Sequence, residues 1–386
     1  MATTKVITEL TDLNQANSTN GLRMPTGGSF SGTPAEGMMR NDTSQASEGS
    51  ASTMQHYNGT DWKNFVNRPD ITPFNADMLI VGGGGGSTNL CGAGGAGGGG
   101  VLEGTVSIVP TTNYSVQVGK GGTGSTGPSY STGYTNGDNS FFDNSVVAGG
   151  NVLTANGGGY SAGAGGFFNG QNWPTSGNSG GSGGGGGGYQ GNGSNTTGGA
   201  STQANISPLT GYGQAGGSMI STSPAAYVGA GGGGAGGAGQ DVNNSNNAGG
   251  NGGVGHISTI ITTTMATANG VGEVSGSDVY YAGGGGGQGG GGNGIGGLGG
   301  GGDQLNSGTA STGGGAGGPT CGSSAGGHTG GTGVLIIKYP DSKTCTLSSA
   351  TNLTHQTDTT SISGFHVSIF TITSAGTNGT GTVTFT

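Results

Sequence analysis

Charge is what this sequence has least of. Charged residues make up 6% of its 386 positions, with 8 Lys+Arg against 17 Asp+Glu and a formal net charge of -9. An average globular chain carries about 25% charge. Disordered chains usually combine low hydrophobicity with high net charge, so low charge argues against that class. Aromatic residues are 6% and hydrophobic residues 29% of the chain, which excludes an ordinary enzyme domain built on a large apolar core. Arginine occurs only as Arg23, Arg40 and Arg68. A Gly-rich RNA-binding tail needs Arg beside its glycines, so no nucleic-acid partner is expected. The cysteines Cys91, Cys321 and Cys345 are odd in number and widely spaced, giving neither a disulfide framework nor a metal-ligand spacing. Proline occurs 11 times without a Gly-X-Y register, which excludes collagen. No stretch approaches the roughly 18 apolar residues of a membrane span, so membrane insertion is not expected. The opening Met1 to Leu10 lacks the apolar run of a secretory signal. Synthesis in a cytoplasm without a visible export signal is the expectation.

What the chain has is glycine, 101 residues of it, roughly a quarter where about 7% is usual. Gly buries no side chain and loses the most backbone entropy on folding. The glycines cluster in runs at 82–86, 97–100, 183–188, 231–234, 283–287, 289–292 and 299–302. Between Asn144 and Ile337 the only charged residues are Asp241, Glu273, Asp278 and Asp303. Such a tract is either a very long linker or a backbone that hydrogen-bonds to itself. Extended left-handed helices with three residues per turn pack closely when side chains are absent. Stacked together, they satisfy every buried backbone group without an apolar core.

The flanks favour the ordered reading. Met78-Leu79-Ile80-Val81 is a continuous apolar run that ends abruptly in glycine, and Val334 to Tyr339 matches it at the far end. Thr105 to Val109 and Tyr114 to Val118 alternate with period two, as half-buried strands do. The expected fold is mainly β and irregular, with almost no α-helix. Residues 1–75 form an N-terminal β-rich attachment module. Within it Asn58-Gly59 marks a hairpin, with Tyr57, Trp62 and Phe65 as apolar content. Residues 76–340 form a glycine-rich sandwich of polyglycine II helices bracketed by strands. Residues 341–386 form a C-terminal β-module, in which Phe365, Val367 and Ile369 alternate. The segments between glycine runs read as loops or small hairpins at the helix ends. Ile257 to Met265 among them is β-prone.

No catalytic, cofactor-binding or metal site emerges from the residues. Gly-x-Gly-x-x-Gly recurs, as glycine density alone requires, and counts only between a strand and a helix of a βαβ unit. Gly119-Lys120 is followed by Gly121, so the P-loop pattern fails. His56, His256, His328, His355 and His366 lack metal-ligand spacing. Glu273 and Asp278 could flank a sugar, but a glycosidase also needs a carboxyl-lined cleft. Exposed aromatics remain, because rings stack on the apolar faces of sugars and anchor interfaces. The candidates are Phe167, Phe168, Trp173, Tyr189, Tyr212, Tyr227, Tyr280 and Tyr281, against the alternative that these rings simply cover a glycine sandwich poor in bulky groups.

The segments Ala76 to Gly86, Tyr114-Ser-Val-Gln-Val-Gly-Lys-Gly-Gly, Asn139-Ser-Phe141 and Gly330 to Pro340 resemble the glycine-rich domain of phage tail-fibre and virion proteins. Gly364 to Phe385 resembles the β-segment that accompanies it. Pro34 to Arg40 with His56 to Trp62 resembles a short module near the start of phage appendage proteins. The resemblance implies a non-enzymatic virion appendage, a tail fibre or adhesin whose loops contact a host surface glycan or outer-membrane protein. It implies attachment to other virion proteins through the N-terminal module, and a homotrimer. The alternatives are a purely structural virion protein, such as a head fibre or decoration protein, and a polyglycine-type ice-binding protein.

Overall fold

The computed structural model describes residues 38–42, 53–57, 60–64 and 72–386, apart from 127–132, 164–165, 169–170, 174–175, 189–194, 221–226, 244, 246 and 321–325. The chain divides into two compact units, Met1–Pro69 and Asp70–Thr386. The first unit contains a three-stranded antiparallel sheet of β1 (Met39–Asp42), β2 (Thr53–Tyr57) and β3 (Trp62–Asn64). Tyr57 pairs with Trp62 across β2 and β3, so these strands are joined through residues 58–61. Asn58, Gly59 and Phe65 themselves lie outside the described residues.

The second unit begins with β4 (Phe74–Val81), β5 (Val101–Ile108), β6 (Asn113–Val118), β7 (Ser140–Asp143), β8 (Val152–Ala155), β9 (Gly166–Phe168), β10 (Gln171–Trp173), β11 (Thr210–Tyr212), β12 (Met219–Ile220) and β13 (Val242–Asn243). It continues through β14 (His256–Ser258), α1 (Thr263–Asn269), β15 (Glu273–Ser275), β16 (Asp278–Tyr281) and β17 (Val334–Pro340). It ends with β18 (Cys345–Thr351), β19 (Leu353–Ile362), β20 (Phe365–Ile372) and β21 (Gly379–Phe385). One sheet has the order β11-β5-β4-β17-β20-β19 and a second has the order β18-β21-β6-β7-β8. Their inner faces share one apolar core that includes Met78, Ile80, Leu335 and Phe370 from the first sheet and Tyr114, Phe142, Val383 and Phe385 from the second. Tyr114 stacks on Phe142 at 4.9 Å between centroids.

The bracketing strands do pair, with Val81 opposite Val334 and Ile80 opposite Leu335. The strands of 341–386 are not a separate module. β20 pairs with β17 and β21 pairs with β6, so the C-terminal residues interleave with both sheets. Period-two patterning marks a strand but not its neighbour, and here the neighbours lie far back in the chain.

The outer face of the six-stranded sheet carries a second core. Leu79, Val81, Val334, Ile336 and Ile369 pack there against Ile260, Ile261, Met265, Val279 and Tyr281 of the 256–281 insertion. The β-prone reading of Ile257 to Met265 fails beyond Ser258. Thr262 caps α1, its hydroxyl accepting from the Met265 N–H, and Gly270 closes the helix in the left-handed region at φ 62. Burial of Met265 and Ala266 on one helical face outweighs the β preference of the threonines.

Beyond the strands the glycine runs form the ordered bundle expected of polyglycine II. Residues 82–87 show why. Gly82 and Gly85 donate to Gly100 and Gly97, Gly83 and Gly86 to Asp138 and Thr135, and Gly84 and Ser87 to Gly331 and His328. Every third residue therefore meets the same neighbour. On the acceptor side, Gly158 and Ser161 donate to Gly83 and Gly86, Gly122 and Ser125 to Gly84 and Ser87, and Ala316 to Gly85. The rod thus touches six others, at 97–100, 135–138, 328–331, 158–161, 122–125 and around Ala316. Rods 94–100 and 282–288 are surrounded in the same way. Backbone hydrogen bonds replace the apolar core, as buried peptide groups demand. The sheet sets the register, because Val81 opposite Val101 is followed directly by the Gly82 to Gly100 bond.

Candidate functional site

Chain direction gives the bundle two poles. Residues 82–89 run away from the sheets, turn at Leu90 to Gly92, and return through 93–100 to β5. Residues 282–289 leave β16 and turn at 290–293 in the same sense. The described rods that flank 127–132, 164–175, 189–194, 221–226, 244–246 and 321–325 also run to and from this distal pole. Where the glycines stop, side chains take over the amides. Thr88 N–H donates to Ser161 Oγ at 3.1 Å, Asn89 N–H to Ser125 Oγ at 3.0 Å and His328 N–H to Ser87 Oγ at 2.8 Å. Cys91, at the first distal turn, is disulfide-bonded. The odd number and wide spacing that give no disulfide framework thus still allow a single bridge, because spacing in sequence says nothing about rods that return to one pole.

The aromatic candidates separate by position. Phe167, Phe168 and Trp173 lie on the antiparallel pair β9 and β10, with Phe167 opposite Asn172 and Trp173 opposite Gly166. This is a small hairpin at the distal end of a glycine rod, as expected; the placement of its side chains is not described. Tyr189 lies outside the described residues. Tyr227 is half-buried where a rod returns from the distal pole, beside a small cluster of Met219, Val228, Ala230 and Val242. Tyr212, Tyr280 and Tyr281 stand at the sheet end. Tyr281 is 0% exposed and part of the second core, so it is a packing residue and not a contact residue. Tyr212 stacks on His256 at 3.8 Å between centroids, and Tyr280 is half-buried opposite Ile257.

Among the described residues, two polar clusters within the strands place a histidine and a serine together. In the first, Glu103 accepts from Ser258 Oγ at 2.7 Å and lies 2.6 Å from His256 Nε2. The serine hydroxyl bonds to the carboxylate and not to the imidazole, so the group ties β14 to β5 and does not form a nucleophile–base pair. Burial, with the Glu103 charge adding to it, pushes the nearby Tyr281 phenol above its usual value. The sequence alone does not single out this cluster. Its one signal is His256-x-Ser258, two polar residues on the same face of a strand.

In the second cluster, His355 Nε2 lies 2.9 Å from Ser368 Oγ and 3.0 Å from Thr357 Oγ1, and Tyr339 reaches Ser368 at 3.1 Å. Ser368 is wholly buried, so no substrate reaches that hydroxyl. Burial pushes the Cys345 thiol up to about 12, which keeps it protonated and inert. Among the described residues, no group of three or more His, Cys, Asp or Glu is placed to hold a metal ion. Among them too, no helix is long and apolar enough to cross a membrane.

Burial lowers His355 and His328 below the usual imidazole value of 6.5. The folded state therefore binds fewer protons than the unfolded one in the window below 6.5. Stability is full above that value and declines as pH falls through it toward the folded values. Melting temperature should fall on acidification from pH 7 to 5, and His355→Gln should reduce that slope. A slope unchanged in His355→Gln shows that this imidazole does not titrate on unfolding.

The chain belongs to the glycine-rich domain family, whose model matches residues 71–340. No curated protein and no solved structure matches it.

Proposed function

We propose that the protein is a non-enzymatic phage virion appendage, a tail fibre or adhesin, that recognises the host surface with the distal pole of its glycine bundle. The observation that carries this reading is that the described rods run to and from one pole, opposite the sheets. Uniform glycine rods encode little specificity. Trp173 and the two phenylalanines belong to β9 and β10 at that pole, and the tryptophan is followed in sequence by a proline, a residue whose ring restricts φ and lowers the cost of ordering a loop. The resemblance of residues 34–62 to an appendage module supports attachment to other virion proteins through the N-terminal unit, with several copies giving avidity. A homotrimer is the assembly this reading favours.

Antibody-gold labelling of intact particles should decorate a tail or other surface appendage; label confined to cell debris would remove the virion from the proposal. Trp173→Ala should weaken adsorption to host cells roughly thirtyfold, the effect of losing an aromatic anchor worth about 2 kcal/mol, with folding and particle assembly intact. Adsorption equal to wild type would place the contact elsewhere.

A further inference from the structure

Tyr134 and Tyr160 form an aromatic pair that the sequence does not single out. They stand on neighbouring rods of opposite direction, joined by the bond from Gly137 N–H to Gly158 O. Their ring centroids are 5.1 Å apart with the planes tilted by 58°. Both residues are half-buried, on the flank of the bundle below the distal pole. Tyr114 and Tyr339 in the sandwich bond Val109 and Ser368. By contrast, neither Tyr134 nor Tyr160 has a hydrogen bond from its hydroxyl to any described residue.

An amide pair is bonded to the backbone of Tyr160. Asn136 Oδ1 accepts from Tyr160 N–H at 2.9 Å and from Asn178 Nδ2 at 2.9 Å, while Asn136 Nδ2 donates to Ser179 O at 3.0 Å. These bonds fix both amides and orient them. They leave one N–H of Asn136, one N–H of Asn178 and Asn178 Oδ1 without a partner among the described residues. The nearby charges, Lys120 and Asp138, lie 3.9 Å apart and offset each other.

We propose that Tyr134, Tyr160, Asn136 and Asn178 form a binding subsite for a neutral saccharide. The chemistry matches on both counts. A tilted pair of rings offers an apolar notch for the C–H face of a pyranose, and the free phenol and amide groups match the alternating donors and acceptors of vicinal hydroxyls. Fixed backbone rods beneath the site keep the cost of ordering it low. The inference deepens the adhesin reading and rests on it, by naming the ligand class and adding a contact outside the distal connectors.

The test is binding of the full chain to an array of neutral hexose and N-acetylhexosamine oligosaccharides. The wild type should bind at least one sugar class. Tyr134→Ala with Tyr160→Ala should lose at least tenfold in affinity, and Tyr160→Phe, which keeps the ring, should lose less. Wild type that binds no neutral sugar, or a double variant that binds as wild type does, overturns the subsite. Should the double variant fold poorly, ring signals of carbon-13-labelled tyrosine in the wild type decide. Sugar must shift the Tyr134 and Tyr160 signals, and shifts confined to other tyrosines refute the site. Particles that still adsorb while the array is silent leave the adhesin reading standing and remove only the saccharide.

Discussion

Gly84→Ala is expected to destabilise the folded bundle severely. A Cβ at Gly84 would lie far inside the 3.0 Å limit of real Cβ contacts, against the carbonyl oxygen of Gly314. That oxygen belongs to a neighbouring rod hydrogen-bonded on its other sides, so it cannot retreat without breaking bonds elsewhere. Overpacking of ordinary cores costs about 1–3 kcal/mol because side chains can shift. Here backbone meets backbone, and the cost should reach about 3 kcal/mol or more, a large part of a typical stability of about 5–15 kcal/mol. Gly292→Ala is the control, since its Cβ would meet only the Ala248 methyl at 3.7 Å, and its effect should stay within about 0.5 kcal/mol. Thermal unfolding with amide exchange distinguishes the two variants. A Gly84→Ala protein as stable as Gly292→Ala would mean that the rods are looser than the hydrogen bonds imply.

Ending the chain after Pro340 should have an equally large effect. The cut removes β19 and β20 from the first sheet and β18 and β21 from the second. It takes Phe370, Val383 and Phe385 out of the shared core and exposes Tyr339 and Leu335. Each lost large apolar side chain resembles a truncation worth about 2–5 kcal/mol, and several are lost together. The truncated chain should therefore show fast amide exchange throughout 82–333, even though no glycine rod has been touched. Slow exchange there would mean that the bundle holds itself together without the sandwich. The experiment matters because the family match ends at 340, while the structure makes β18 to β21 part of the same folding unit.

Much of this fold is legible in residue order. Met78 to Val81 and Val334 to Tyr339 announce paired strands, and the lack of charge between Asn144 and Ile337 announces a bundle in place of a linker. Three things are not legible, each because it depends on contacts distant in the chain. The C-terminal strands pattern like an appended module, yet Val116 pairs with Gly381 and Ile337 with Ser368. Thr262 to Met265 favours a strand by composition until a cap and a buried methionine make it a helix. The candidate rings are harder still. Tyr281 and Trp173 look alike in sequence, each beside a glycine-rich run. One is buried against the sheet and the other lies on a distal hairpin, because rods of different lengths and directions decide which end a ring reaches.

The rule that every third amide meets the same neighbour constrains how this domain can change in length. Adding one or two residues to a rod rotates everything beyond by a third or two-thirds of a turn, and each N–H then faces the wrong partner. Adding three restores all six contacts and extends the rod by about 9 Å. Growth of the domain is therefore quantised. Insertions within rods should be tolerated in steps of three and in matched limbs, while the connectors, outside the lattice, can vary in length freely. A strand slips by one residue and turns its faces inside out; this lattice is stricter, since it has three faces to keep.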